Sequence, residues 1–162
     1  MDKILITYFY QLRNLSTNII PVSTAVWDPK WFHDFKGHSH VYIDKNGIMN
    51  GLRYSPLTPG KSCDGLCTGR PCKYNPKDCQ FLSNYRAQLD NIDFNQFISD
   101  MDKLMEDYKL ATSIENPLIA LVVYETPDNP CSERSQLQSW ITSHGIICEE
   151  FDPCQIYKYR SK

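Results

Sequence analysis

The chain has 162 residues, of which 41% are hydrophobic, and this is enough for one domain with its own core over residues 1–162. Its 17 basic residues nearly balance its 19 acidic residues, so the charge gives no support for broad electrostatic binding of nucleic acid or membrane. The longest apolar runs have the length of strands, and the N-terminus lacks a signal-peptide core. These features predict a cytoplasmic protein without a transmembrane segment.

The first half of the chain is rich in strand signals. Residues 4–10 combine β-branched and aromatic side chains, and residues 19–26 form a second apolar run. Pro21 lacks the N–H group of a ladder hydrogen bond, which favours an edge position for the second strand or an early position of Pro21 within it. Further on, Asn46 and Gly47 form a dipeptide that is typical of a tight hairpin turn. We therefore predict two strands followed by a hairpin.

Aromatic residues are dense directly after the second predicted strand. Trp27, Trp31 and Phe32 lie close together in the sequence. At the end of a strand, such rings can form a stacking wall for a ring-shaped ligand. The same rings can instead fill the edge of the hydrophobic core, and the sequence leaves both interpretations open.

The cysteines concentrate in one segment. The total is seven, an odd number, which in a chain of this length favours free, metal-bound or reactive thiols over a disulfide framework. Residues 60–80 form a cysteine-rich insertion that contains Cys63, Cys67, Cys72 and Cys79. Four thiolates around one tetrahedral ion would hold such a segment, so we predict a structural zinc site, with an iron–sulfur cluster as the less favoured cofactor. The alternative is a surface loop with free cysteines or one adventitious disulfide.

Two helices are expected after this insertion. Residues 81–89 form the first, and the second begins at Asp93, an N-cap residue with Gln96 three positions later. Apolar side chains then recur at intervals of three and four residues and give a wide stripe, as expected for a core-facing helix. The stripe consists of Phe94, Phe97, Ile98, Met101, Leu104, Met105 and Tyr108. The second helix is therefore predicted to cross over into the next strand.

The clearest structural unit is a strand, loop, helix and strand near the end of the chain. Residues 117–124 form an unbroken apolar run without alternation, which is typical of a strand covered on both faces. Asn129 and Pro130 resemble a helix start, Gly145 is placed to end that helix, and residues 146–151 return as a strand. We predict an α/β fold: a mostly parallel central sheet flanked by helices, with the cysteine-rich loop inserted.

This unit resembles the domain of unknown function 488 family. That family has a strand ending in an aromatic–Glu or Cys–Glu step, then a loop, then a Cys-His-Arg triplet that opens a helix. Tyr124 and Glu125 match the first element, and Cys131 and Arg134 match the outer members of the second. The resemblance implies an α/β fold with a parallel sheet and brings no settled activity.

The chain also departs from the family pattern. Ser132 and Glu133 stand where the family usually has one histidine. In the first half, residues 20–25 and 29–32 resemble a phage and bacterial branch of the family. The cysteine-rich insertion is not part of the general pattern.

The loop after residue 124 carries the candidate functional residues, because ligands bind beyond the carboxyl ends of strands in open α/β sheets. Cys131 is predicted to lie in the first helical turn, where unpaired N–H groups and the helix dipole favour a thiolate. Arg134 adds a positive charge, and Glu125 is placed to hold Arg134 or to act as a base. The hydroxyl groups of Ser132 and Ser135 would complete a phosphate site at the helix N-terminus.

Two functional hypotheses follow. In the first, the protein is an enzyme acting on a nucleotide or nucleic-acid-like substrate, with Cys131 as nucleophile or acid/base and Arg134 holding phosphate. In the second, it binds a nucleotide without turnover, and Trp27, Trp31 or Tyr124 stacks on the base. A third hypothesis is a metal-stabilised interaction module, and self-association is expected only from the frequency of homo-oligomers. Against all three, Cys131 can be a small buried residue, and Arg134 can pair with a glutamate only to fix the loop.

Overall fold

The computed structural model describes residues 1–32, 42–43, 49–63 and 76–154. The strands in these ranges are β1 (Lys3–Tyr8), β2 (Ile19–Ser23), β3 (Tyr42–Ile43), β4 (Met49–Asn50), β5 (Leu118–Val123) and β6 (Ile147–Glu150). The α-helices are α1 (Gln80–Asp90), α2 (Phe94–Thr112) and α3 (Arg134–Ser143). A longer 3-10 helix, Phe9–Asn14, follows β1 directly.

Four of the strands form one parallel sheet in the order β2-β5-β1-β6. This confirms the predicted α/β fold with a parallel central sheet. Pro21 lies on β2, at one edge of the sheet, as the missing N–H group led us to expect. Strands β3 and β4 pair antiparallel, which confirms the hairpin, while its Asn46-Gly47 turn lies outside the described residues.

The two faces of the sheet are covered differently. Alternate residues of the strands, such as Ile4, Ile6 and Leu121, share one hydrophobic cluster with side chains from all three α-helices. On the opposite face, Leu5 and Val122 pack with the 3-10 helix and with residues after β2. This alternation is the period-two geometry of a strand with both faces buried. No helix among the described residues is both long enough and apolar enough to span a membrane.

Helix α2 has the start and the buried face that the sequence predicts. The side chain of Asp93 accepts a hydrogen bond from the backbone N–H of Gln96 at 3.1 Å. The Gln96 side chain donates to Asp100 instead of returning to the cap, so only half of the capping box forms. Phe97, Met101 and Tyr108 are buried, and the other stripe residues pack against the same core.

Helix α3 begins later than the sequence suggests. The predicted start was Asn129 and Pro130, but the first helical residue is Arg134. The Asn129 side chain accepts from the N–H of Cys131 at 2.9 Å and therefore caps a separate turn before the helix. The Ser132 hydroxyl accepts from the N–H of Arg134 at 3.2 Å. Cys131 consequently lies before the helix and not in its first turn, contrary to the prediction.

The end of α3 gives a first testable prediction. Gly145 follows the helix with a φ of +87°, and an added Cβ atom would meet nothing within 4 Å. Gly145→Ala should therefore lower the free energy of unfolding by about 1 kcal/mol through backbone conformation alone. Urea denaturation measures the change, with Ser143→Ala as a control within the same turn. An unchanged stability would show that this position does not need the left-handed conformation.

Candidate functional site

Polar side chains from three elements meet where β1, β5 and β6 end. Strand β5 is followed by Glu125, β6 ends at Glu150, and the turn before α3 supplies Ser132 and Glu133, with Arg134 opening the helix. We call these five residues the α3 cluster. This is the carboxyl edge of a parallel sheet, where α/β domains bind ligands.

Arg134 connects the ends of β5 and β6, the two strands on either side of β1. It is only 7% exposed, and its Nε donates to Oε2 of Glu150 at 2.8 Å. Its Nη1 donates to the backbone oxygen of Glu125, also at 2.8 Å. The guanidinium carbon lies 5.8 Å from the centre of the Tyr8 ring, at the end of the central strand β1. The third nitrogen, Nη2, is buried and has no hydrogen-bond partner among the described residues.

Ser132 joins the loop after β5 to the start of α3. It is 2% exposed, and its hydroxyl donates to Oε2 of Glu125 at 3.3 Å while accepting from the backbone of Arg134. Ser135, which was predicted to contact the same ligand, is exposed on α3. The structure therefore brings Glu125, Ser132 and Arg134 together.

Glu133 is the most deeply buried acid of the cluster, with only 4% of its surface exposed. Burial raises its pKa to about 8, and the nearby charge of Glu125 adds to the shift. The guanidinium of Arg134 opposes the shift but does not cancel it. Glu133 is therefore mostly protonated at neutral pH. Burial also raises the pKa of Glu150, and its ion pair with Arg134 opposes that shift.

Cys131 is disulfide-bonded in the structure. The other cysteines of the described residues, Cys63, Cys79, Cys148 and Cys154, are free. This bond departs from the expectation of free thiols. A disulfide sulfur is not a thiolate, so the predicted nucleophile exists only in the reduced form.

The disulfide gives a second prediction. Alkylation of the denatured, unreduced protein should leave Cys131 unmodified, and prior reduction should make it available. Peptide mass spectrometry measures both states, with the free and exposed Cys154 as the internal control. Labelling of Cys131 without reduction would contradict the bond.

Only two of the four predicted zinc ligands lie within the described residues. Cys63 and Cys79 are buried and free, whereas Cys67 and Cys72 lie outside the described residues. Within the described part of the chain, no three cysteine, histidine or acidic side chains are grouped as metal ligands. The zinc site therefore stays a prediction.

Exposed aromatic rings follow strands β5 and β2 in the chain. Tyr124 directly precedes Glu125 and is 60% exposed, and Trp31 is 53% exposed. Both rings contact the buried ring of Phe9, at centroid distances of 6.4 Å and 6.1 Å respectively. Trp27 is 80% exposed on the loop after β2. Of the aromatic residues predicted after β2, only Phe32 fills the core, and both tryptophans leave much of their surface to solvent.

Glu150 was not predicted as a site residue, and Glu133 was predicted to lie at this edge of the sheet without a role in the site. Glu150 lies near the end of the expected strand 146–151. The signal that could have identified it was this position at a strand end, next to a buried strand. For Glu133, the signal was its position directly before Arg134, where the family pattern has histidine. Both are acids that a sequence pattern alone assigns to the surface.

Comparison with models of protein families, with curated proteins and with solved structures finds no match to this chain. The resemblance to the domain of unknown function 488 family therefore stays a prediction.

Proposed function

We propose that this chain binds a small ring-containing ligand of the nucleoside type at the carboxyl edge of its sheet. The ring stacks on Tyr124 or Trp31, and the polar edge of the ring hydrogen-bonds with the side chain of Glu125. The observation that carries this proposal is the pair of exposed rings around Phe9 next to a polar cluster. Clustered exposed aromatic surface rimmed by polar groups is typical of binding sites.

The charges of the cluster favour a base or nucleoside over a phosphate group. Glu125, Glu133 and Glu150 are three acids around the single guanidinium of Arg134, and two nitrogens of that guanidinium already donate within the protein. An incoming phosphate would meet carboxyl groups, and the remaining guanidinium nitrogen, Nη2, is buried away from solvent. Carboxyl oxygens instead match the exocyclic amino groups of nucleobases. We therefore assign Arg134 to holding the loop and not to phosphate binding.

Isothermal titration calorimetry with adenosine, cytidine, guanosine and uridine tests the proposal. At least one nucleoside should bind in a saturable way, because stacking on an aromatic ring contributes about 1–3 kcal/mol. Tyr124→Ala should weaken that binding by about tenfold, whereas Tyr124→Phe keeps the ring and should keep most of the affinity.

The control for these variants is Leu110→Ala, which removes an exposed apolar side chain on α2, away from the cluster. It should leave the affinity unchanged. The proposal fails if none of the four nucleosides binds at millimolar concentration. It also fails if Tyr124→Ala and Trp31→Ala both bind as tightly as the original protein.

A further inference from the structure

The exposed apolar side chains of the protein concentrate at one end of the sheet. Among the described residues, five of the seven large hydrophobic side chains that are exposed follow the carboxyl ends of β1, β2 and β5. These five are Tyr10, Val26, Trp27, Trp31 and Tyr124. The three strands are neighbours in the sheet, so the side chains share one edge of the domain. Such a concentration of exposed apolar surface typically marks an interaction site.

We infer that this edge binds single-stranded nucleic acid, and that the base held at Tyr124 or Trp31 is one of at least two stacked bases. A second base stacks on the platform formed by Tyr10 and Arg13, and Arg13 also neutralises a phosphate group of the strand. This inference rests on the proposed function and deepens it, because it extends the ligand from a nucleoside to a strand of nucleotides.

The buried ring of Phe9 fixes the first stacking position. Tyr124 and Trp31 meet this ring at interplanar angles of 64° and 88°, so each packs against it edge to face. Both rings are held by a buried neighbour, yet more than half of the surface of each stays exposed. A ring that is already fixed loses little conformational entropy when a base stacks on it.

Tyr10 and Arg13 form the second stacking position. Tyr10 follows Phe9 directly in the chain and is 59% exposed, and its ring stacks on that of Tyr8 at a centroid distance of 6.5 Å. The guanidinium carbon of the exposed Arg13 lies 4.1 Å from the centre of the Tyr10 ring. Aromatic rings and guanidinium planes are the two kinds of group on which unpaired bases stack. Because Tyr10 is adjacent to Phe9, the two stacking positions lie side by side.

The charges at this edge suit a short strand that is held mainly by stacking. Arg13 accompanies one stacking position, and the exposed Lys30 directly precedes Trp31 at the other. The side chain of Asp28 is only 1% exposed and pairs with Nη1 of Arg53 at 2.6 Å, so this acid is already neutralised within the protein. Two cations allow one or two phosphate contacts, which agrees with a chain whose net charge is −2 and leaves most of the affinity to the bases.

The chemistry of the surface favours nucleic acid over an aliphatic partner. Four of the five exposed side chains are aromatic, and Val26 is the only aliphatic one among them. The carboxyl group of Glu125, which follows Tyr124, matches the amino groups of adenine and cytosine. A proline-rich peptide also packs on exposed aromatic rings and is the alternative occupant that an experiment must separate from a strand of bases.

Fluorescence anisotropy with labelled oligonucleotides of about six nucleotides tests the inference. Adenylate and cytidylate strands, as RNA and as DNA, should bind at least about tenfold more tightly than adenosine and cytidine, because a second stacked base adds its contribution. The same strands paired in a duplex should bind at least about tenfold more weakly, since their bases are no longer free to stack on the protein. A difference between RNA and DNA identifies the sugar that the site accepts.

Variants of the second stacking position separate the strand from the nucleoside. Tyr10→Ala should weaken strand binding by about tenfold and leave nucleoside binding unchanged, whereas Tyr10→Phe should keep most of the affinity. Arg13→Gln should weaken strand binding and reduce the slope of log K against log salt concentration by about 0.7, the value for one phosphate contact. Lys103→Gln removes a cation on α2 that is 76% exposed, and it should change neither affinity nor slope.

The inference is overturned if no strand binds more tightly than its nucleoside, if Tyr10→Ala binds the strands as well as the original protein does, or if duplex and single strand bind equally. It is also overturned if a proline-rich peptide in the same assay binds more tightly than every strand. Nucleoside binding without any gain from the strand removes this inference alone, whereas a lack of binding by both nucleosides and strands removes the proposed function with it.

Discussion

Arg134→Met should lower the free energy of unfolding by about 3 kcal/mol. The substitution keeps much of the apolar volume but removes the donor to Glu150 and the donor to the backbone of Glu125. A partly buried carboxyl group then remains without its cation, which typically costs several kcal/mol. Because the Glu150 side chain is 31% exposed, water compensates part of this loss, and we expect the lower end of the range. Urea denaturation at pH 7 measures the difference.

Two further variants serve as controls for Arg134→Met. In the double variant Arg134→Met with Glu150→Met, no unpaired acid remains, so part of the lost stability should return. Arg86→Met breaks a partly exposed ion pair with Asp90 and a hydrogen bond to Ser139, and should cost no more than about 1 kcal/mol. If Arg134→Met is as mild as Arg86→Met, then Arg134 does not hold the strand ends together, and its guanidinium is again available for a ligand.

The sheet could be predicted from the sequence because its signals are local. The apolar run that became β5 has no alternation, which is the mark of a strand covered on both faces, and Pro21 identified an edge strand. Asp93 and the apolar stripe after it identified α2 by the same kind of short-range pattern. The ends of the strands were harder to predict. The sequence indicated a strand over residues 4–10, but β1 ends at Tyr8, where the chain turns into the 3-10 helix.

The site was only partly predictable because its contacts connect distant parts of the sequence. Arg134 reaches Glu150 because β6 pairs with β1 and places Glu150 opposite Ile6. No spacing along the chain encodes that contact. The late start of α3 has a local cause, since the Asn129 side chain satisfies the N–H of Cys131 in a turn that competes with the helix. The disulfide of Cys131 likewise depends on which segments meet in space.

That disulfide also bears on the predicted compartment. Disulfides persist mainly in oxidising environments and are rare in the reducing cytosol. The cytoplasmic location that the composition suggested stays a prediction. In a reducing compartment the same residue would carry a free thiol close to Ser132 and Glu133, and the cysteine-dependent hypothesis would apply to that form.

The protein should lose stability as the pH rises from about 5 to 8, and Glu133 should be the cause. Its pKa is about 8 in the folded protein, against about 4.5 for an ordinary glutamate. Between these values the folded state holds a proton that the unfolded state has released. The free energy of unfolding therefore falls with increasing pH, by up to about 1.4 kcal/mol per pH unit, and the slope ends above pH 8 when the folded state also ionises.

Glu133→Gln should abolish most of this slope, because an amide fills the same space and does not titrate. The variant should resemble the original protein at pH 4, where Glu133 is protonated in both states, and should be more stable by a few kcal/mol at pH 8. Glu115→Gln, which changes an exposed acid, should keep the original slope. Urea denaturation between pH 4 and pH 9 measures all three proteins. Parallel curves for the original protein and Glu133→Gln would mean that Glu133 is ionised in the folded state.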